Sequence, residues 1–251
     1  MNSIFSRYNL QQFYMDLAEL HITLSDIQVE QFFIYYEMLI EKNQAVNLTA
    51  ITDFDEVLKK HFVDSLSLVK VCDLSHNDTE ISLIDIGTGA GFPGIPLKIA
   101  FPNLKVTLMD SLNKRVDFLH EVIGTLGLRK IDAIHGRAED YAKPGKLREK
   151  YDLCVSRAVA NLSVLAEYCI PYVKVGGKFI SYKSEKVTEE INDAEYAIEI
   201  LGGKVEEQIS FTLPDSDIYR NLVVITKQSE TPSKYPRKAG KVDKRPLHCD
   251  V

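Results

Sequence analysis

The stretch Leu83-Ile84-Asp85-Ile86-Gly87-Thr88-Gly89-Ala90-Gly91-Phe92-Pro93-Gly94 decides the fold. An apolar, β-rich run ends in a glycine-dense turn. Pro93 or Pro96 then suits the first turn of a following helix. Glycine lets the backbone bend sharply and approach a ligand closely, and a helix N-terminus facing that turn aims its N–H groups at the same place. From Gly89 the segment satisfies G-x-G-x-x-G, a dinucleotide pattern that is weak on its own.

Outward from this turn, short β-rich runs recur at 81–86, 104–110, 131–136, 151–156, 178–183, 205–211 and 219–227. Helix-like stretches at 114–126, 162–172 and 185–201 fall between them. Strands alternating with helices predict a mostly parallel sheet covered on both faces. The connection 212–218 is too short for a helical crossover, so the last two strands should pair antiparallel.

Upstream, Val29, Phe32, Phe33, Tyr36, Leu39 and Ile40 repeat at helical spacing after a Ser25-Asp26 cap. A second amphipathic helix is predicted over 55–69, with Leu58, Phe62, Leu66 and Val69 on one face and 47–52 as the connection. The aromatic run at 32–36 resembles a base-stacking platform, but helical spacing favours core packing.

The chain has 251 residues, of which 45% are apolar, with four Cys and no Trp. Such a chain can bury a sizeable core, which excludes disorder. Its formal charge of −6 argues against a polyanionic partner. That average hides an asymmetry. From Lys234 onward there are six Lys/Arg and two Asp, a net of +4, which leaves −10 on the preceding 233 residues. No secretory leader and no run long enough to span a bilayer is present, so a cytoplasmic protein without membrane partners is expected. Cys72, Cys154, Cys169 and Cys249 form no C-x-x-C pair, so reduced thiols are expected and no metal site.

Read from Asp85, the glycine turn satisfies acidic-x-G-x-G-x-G, the pattern of class I S-adenosylmethionine-dependent methyltransferases. A carboxylate there opposes a pyrophosphate but suits the amino-acid end of a cationic sulfonium ligand. Asp110 ends the next strand, 19 positions after Gly91, where a carboxylate meets ribose hydroxyls in either nucleotide class. Its structural alternative is capping the helix that follows. The segment 136–140 after the third strand could meet an adenine amino group, or be a solvated acidic loop. Arg157 ends the fourth strand, at the sheet edge where ligands bind; a surface ion pair is the alternative. No Asn/Asp-Pro-Pro-aromatic segment stands there to accept a proton from an exocyclic amine, and Cys154 is mid-strand. A substrate nitrogen with a free lone pair, such as guanine N7, needs neither.

Five blocks together resemble one family: Asn47-Leu48-Thr49-Ala50-Ile51, His61-Phe62-Val63-Asp64-Ser65-Leu66, the 85–94 loop, Asp110-Ser111-Leu112-x-Lys114-Arg115, and Ser156-Arg157-Ala158. They look like the bacterial 16S ribosomal RNA guanine-N7 methyltransferases, formerly glucose-inhibited division protein B. The likeness extends to Tyr219–Ile225 and to Tyr235-Pro236-Arg237-Lys238-Ala239-Gly240. It implies a class I, Rossmann-like, seven-stranded mostly parallel sheet (76–228), an N-terminal helical extension packed on it (1–75), and a basic C-terminal tail (229–251). It also implies S-adenosylmethionine as donor and a guanine in a 16S rRNA hairpin near the decoding centre, within the small ribosomal subunit, as acceptor.

Carried over by position, Gly87, Phe92, Ala138, Glu139 and Arg157 contact the cofactor. Asp85, Gly89, Gly91 and Asp110 join them from the motif and spacing. Arg157, His61 and Lys183 are candidates for positioning substrate; His61 titrates near neutrality, yet N7 needs no base. Lys60, Arg220, Arg237 and Lys238 are the candidate RNA contacts. Asp243 interrupts the basic run of the tail, a departure from the family pattern. Nothing in the chain demands more than a monomer. Three other readings stay open: a methyltransferase acting on another RNA, a protein or a small molecule; a nicotinamide-dependent oxidoreductase; and a non-catalytic RNA-binding factor.

Overall fold

Seven strands form one sheet in the computed structural model, which describes residues 8–74, 80–157, 159–184 and 187–248. They are β1 (Ser82–Ile86), β2 (Lys105–Asp110), β3 (Ile131–His135), β4 (Tyr151–Arg157), β5 (Val173–Lys183), β6 (Gly203–Thr212) and β7 (Tyr219–Lys227). Their order is β3-β2-β1-β4-β5-β7-β6. The first five run parallel, and β7 lies antiparallel between β5 and β6. Chain order reverses between β1 and β4. At such a switch point the helices leave to opposite faces, and a crevice opens beyond the strands' carboxyl ends.

Helices α1 (Gln11–Glu19) and α2 (Asp26–Val46) lead the chain. Ser25 caps α2 in a reciprocal box with Gln28, whose amide also donates to the Ile99 and Ala100 carbonyls at 2.7 and 3.1 Å. One side chain therefore starts α2 and satisfies the far end of the helix Gly94–Ala100 that follows the glycine turn. The aromatic run is core: Phe32, Phe33 and Tyr35 are fully buried. Phe13, Phe32, Tyr35 and Phe62 share one apolar cluster with Leu83, Ile95, Leu108 and Phe118, so the N-terminal helices and one sheet face have a common core.

The helix predicted over 55–69 is broken. It runs as α3 (Phe54–Val57), a π-helical turn (Leu58–Val63), α4 (Asp64–Leu66) and a 3-10 turn (Ser67–Lys70). A π turn widens the backbone and frees carbonyls for other partners. Here the Lys60 and His61 carbonyls accept from Arg157 Nη1 at 3.2 and 3.4 Å, the His61 carbonyl also accepting from Ser65 Oγ at 2.5 Å. Downstream come α5 (Gly94–Ala100), α6 (Asn113–Thr125), α7 (Ala138–Tyr141), α8 (Leu162–Cys169) and α9 (Val187–Ile200). The predicted 162–172 helix is α8 only as far as Cys169. It continues as a 3-10 turn, Ile170–Tyr172, because Pro171 supplies no N–H to an α ladder. Strand β5 begins five residues before its predicted start of 178, across an irregularity in its pairing with β4. Residues 185 and 186, at the predicted start of α9, and Cys249 lie outside the described residues.

The tail after β7 forms no regular element, yet Tyr235, Val242 and Leu247 are buried. Arg237 grips the fully buried Glu167 of α8 through its backbone N–H and both sides of its guanidinium, at 2.6 to 3.0 Å. Arg148 donates to the Thr231, Pro232 and Tyr235 carbonyls. The basic tail is thus packed against the sheet domain by ion pairing and apolar burial together.

Candidate active site

Two cavities open at the carboxyl ends of the parallel strands. The first, about 390 Å³, is lined by Gly87, Asp110, Ala138 and Glu139, four of the predicted cofactor residues, with Arg115, Arg137, Tyr168 and Asp243 among its other walls. Gly87 has a φ of +71°, and a β-carbon there would lie 2.6 Å from Val159 Cγ2, so only glycine fits. Its N–H donates to Met109 O at 2.9 Å, which seats the loop on β2.

Asp110 is tied into the same loop. Its carboxylate accepts from Gly89 N at 2.9 Å, Leu112 N at 2.9 Å and Arg115 Nη1 at 3.3 Å. Asp110 does not cap α6, whose N-cap is Leu112 with no side-chain bond; it orders the turn before that helix and lines the cleft.

Asp85 lies under the loop rather than in the cleft wall. Fully buried, its Oδ2 accepts from Thr88 Oγ1 at 2.6 Å and Gly94 N at 2.9 Å. Gly94 is obligatory as well, since a β-carbon would meet Leu108 Cδ2 at 2.3 Å. Among the described residues Oδ1 of Asp85 has no hydrogen-bond partner, an orphaned acceptor beneath the glycine turn. Burial pushes its carboxyl up to about 6, against the opposing effects of Thr88, Gly94 and Arg157. Burial likewise raises Glu139. Gly89 and Gly91 shape the turn without lining the cleft, and Tyr35 buttresses it by donating to Ala90 O at 2.6 Å.

The second cavity, about 460 Å³, gathers residues that are remote in sequence: Lys60, His61, Asp64, Arg157, Lys183, Glu190 and Arg220, together with Ile51, Tyr182 and Ser184. Its walls carry four cations and two carboxylates. Arg157, predicted at the cofactor, lies in this basin and not in the cleft. Phe92 stands behind it, its ring stacked on His61 with centroids 4.5 Å apart and 5.1 Å from the Arg157 guanidinium.

Asp64 organises the basin. Its two oxygens accept from Arg157 Nη1 at 3.0 Å and Arg220 Nε at 3.1 Å, and it is 3% exposed. Glu190 accepts from Lys183 Nζ and Leu162 N, both at 2.6 Å.

His61 is pushed down to about 3, first by burial and then by the adjoining Arg157. The Arg157 guanidinium can only donate, so at 3.3 Å His61 Nδ1 accepts. The ring proton therefore sits on Nε2, which donates to Thr49 Oγ1 at 2.8 Å. A neutral imidazole with both nitrogens engaged positions its neighbours and does not abstract protons.

The wall between the cavities is the chain following β4. Val159 and Ala160 line the cleft, while the Ala160 carbonyl accepts from Lys183 of the basin at 2.8 Å. Ala158 lies outside the described residues. Of the other predicted RNA contacts, Lys60 pairs with Glu56 at 2.5 Å, Arg237 is held by Glu167, and Lys238 is exposed. Asp64, Thr49 and Glu190 were not singled out for a role from the sequence. Their importance rests on partners in other elements, and no local pattern signals it. Among the described residues, no three His, Cys, Asp or Glu side chains gather as a metal site, and no helix is long and apolar enough to cross a membrane.

Comparison with known proteins identifies the family. Residues 28–219 match the family model GidB, rRNA small subunit methyltransferase G. The chain is 58% identical to the ribosomal RNA small subunit methyltransferase G of Lachnoclostridium phytofermentans over 94% of its length and 96% of that protein. It is 51% identical to the protein of that name from Listeria monocytogenes, covering 95% of this chain and 99% of the relative. Among solved structures, MtNAS in complex with MTA and tNA superposes with a TM-score of 0.52 at 16% identity, covering 81% of this chain and 75% of that one, a likeness of fold. With the glycine loop, the strand order and these relatives in agreement, the chain belongs to the rRNA small subunit methyltransferase G family.

Proposed function

We infer that the protein is an S-adenosylmethionine-dependent methyltransferase that methylates N7 of a guanine in 16S rRNA of the small ribosomal subunit, in the hairpin near the decoding centre. The observation that carries this reading is the pairing of an acid-lined cleft at the glycine loop with a net-cationic basin sharing one wall with it. The cleft residues fit the donor. Asp110 and Glu139 offer acceptors for hydroxyl and amino donors, and the orphaned Asp85 Oδ1 lies beneath the turn. A dinucleotide pyrophosphate would meet carboxylates on two sides, which disfavours an oxidoreductase.

When bound, the donor would supply an electrophilic methyl group on a cationic sulfur, whose transfer to the N7 lone pair would exchange an S–C for a C–N bond and leave the positive charge on the base. No proton leaves N7, so no general base is required. The basin's own residues bind and orient. Arg157 and Arg220, held by Asp64, attract phosphate, and the Asp64 and Glu190 carboxylates offset charge developing on the methylated base. The His61–Phe92 stack stiffens the side of the basin. A cytoplasmic, metal-independent enzyme follows from this reading.

The test is to incubate labelled S-adenosylmethionine with small subunits lacking the modification and map the labelled nucleoside. Label at guanine N7 is expected. Absence of transfer by folded, donor-binding protein would overturn the assignment.

A further inference from the structure

The acid that interrupts the basic tail has a specific location. Asp243, itself exposed, lines the cleft together with Glu139 and Tyr168. Val242, immediately before it, is fully buried, and the Arg237–Glu167 pair anchors the segment six residues upstream. The turn is closed by Lys241 N donating to Lys238 O at 3.1 Å and Arg245 N donating to Lys241 O at 3.0 Å. The Glu139 carboxyl is raised chiefly by burial, and the Tyr168 hydroxyl is raised by burial and by Asp243 beside it. Lys238, Lys241, Lys244 and Arg245 stay exposed around this cleft-lining acid.

The cleft's polar groups divide by position. Asp110 ends β2 and stands where a ribose hydroxyl is met, while the Gly136–Glu139 segment after β3 stands on the base side. Glu139 is buried, whereas Asp243 lines the same cleft and is exposed, so its carboxylate has room for further donors.

We propose that the C-terminal tail completes the cofactor cleft and that Asp243 accepts a hydrogen bond from the exocyclic amino group of the adenosyl moiety. This rests on the reading of the cleft as the methyl-donor site. It also accounts for an acid in an otherwise cationic segment: the exposed acid at the cleft meets the nucleoside, and the surrounding cations stay in solvent.

The test is isothermal titration of the full chain with S-adenosylhomocysteine and with S-inosylhomocysteine, which has an oxo group in place of the amine. Because a hydrogen bond to a charged group is worth roughly one to two decades of affinity, Asp243→Ala should weaken the adenosyl ligand about tenfold. The inosyl ligand should bind the wild-type protein more weakly and be left nearly unchanged by the substitution. A general disturbance of the tail would weaken both ligands equally, which overturns the specific contact. Asp243→Asn, which keeps one acceptor and the shape, should fall between. An unchanged Kd for S-adenosylhomocysteine in Asp243→Ala would refute the role of the tail alone. Failure of the wild-type protein to bind it would instead remove the donor-cleft reading, and this proposal with it.

Discussion

Asp85 and His61, two buried groups near the glycine loop, are displaced from their ordinary protonation ranges in opposite chemical senses. Asp85 rises to about 6 because burial disfavours its charge, so its contribution to stability is full below its unfolded value near 4 and is lost as pH rises through 6. His61 falls to about 3, so its contribution is present above its unfolded value near 6.5 and is lost as pH falls towards 3. Acidification from pH 7 to 4.5 therefore sets one group against the other. Asp85→Asn should lose thermal stability more steeply with acid than the wild-type protein, and His61→Asn less steeply. Each pKa unit corresponds to about 1.4 kcal/mol, so melting temperatures should diverge by roughly 5 °C across that range. Identical slopes for all three proteins would contradict these displacements. The same two residues show the reach of sequence reading. Asp85 was identifiable because its motif is local. That it holds the loop from below, as the Thr88 and Gly94 bonds require, depended on packing.

At the level of elements, a buried ion pair joins the tail to α8. Glu167 is fully buried and Arg237 is its cationic partner, so Arg237→Met leaves an uncompensated carboxylate in the interior. A loss of about 3 kcal/mol in chemical denaturation is expected, and a second change, Glu167→Gln, should restore a large part of it. Additive losses in the double variant would show that the pair is not coupled. Strand positions came within a residue or two of the sequence expectation, apart from the early start of β5, because alternation and apolar runs are local signals. The π turn was not legible. Its sequence reads as an ordinary amphipathic helix, and the Arg157 that donates to its Lys60 and His61 carbonyls lies 97 and 96 positions away.

Over the whole molecule, charge is sorted by place. The body carries −10 and the last 18 residues +4, while the basin brings four cations together on an acidic protein. Diffuse repulsion with focal attraction favours a defined RNA surface over random sequence. Replacing Lys238, Lys241, Lys244 and Arg245 with Gln should weaken rRNA binding. It should also lower the slope of log K against log salt by about one for each phosphate no longer neutralised. Filter binding across a range of salt concentrations checks this, and an unaltered slope would remove the tail from the RNA interface.

The strands, the glycine turn and the strand-end acid at Asp110 were all readable along the chain. Positive φ, alternating burial and capping are properties of neighbouring residues, and composition already separated body from tail. Which cavity each polar side chain serves was settled by packing in three dimensions. The reversal of strand order between β1 and β4, and the insertion of β7 beside β5, bring Asp64 to Arg157 across 93 positions and to Arg220 across 156. The same packing puts Arg157 in the wall of the basin and the exposed Asp243 at the cleft. Those placements depend on how distant apolar faces are buried together, and no local spacing encodes that.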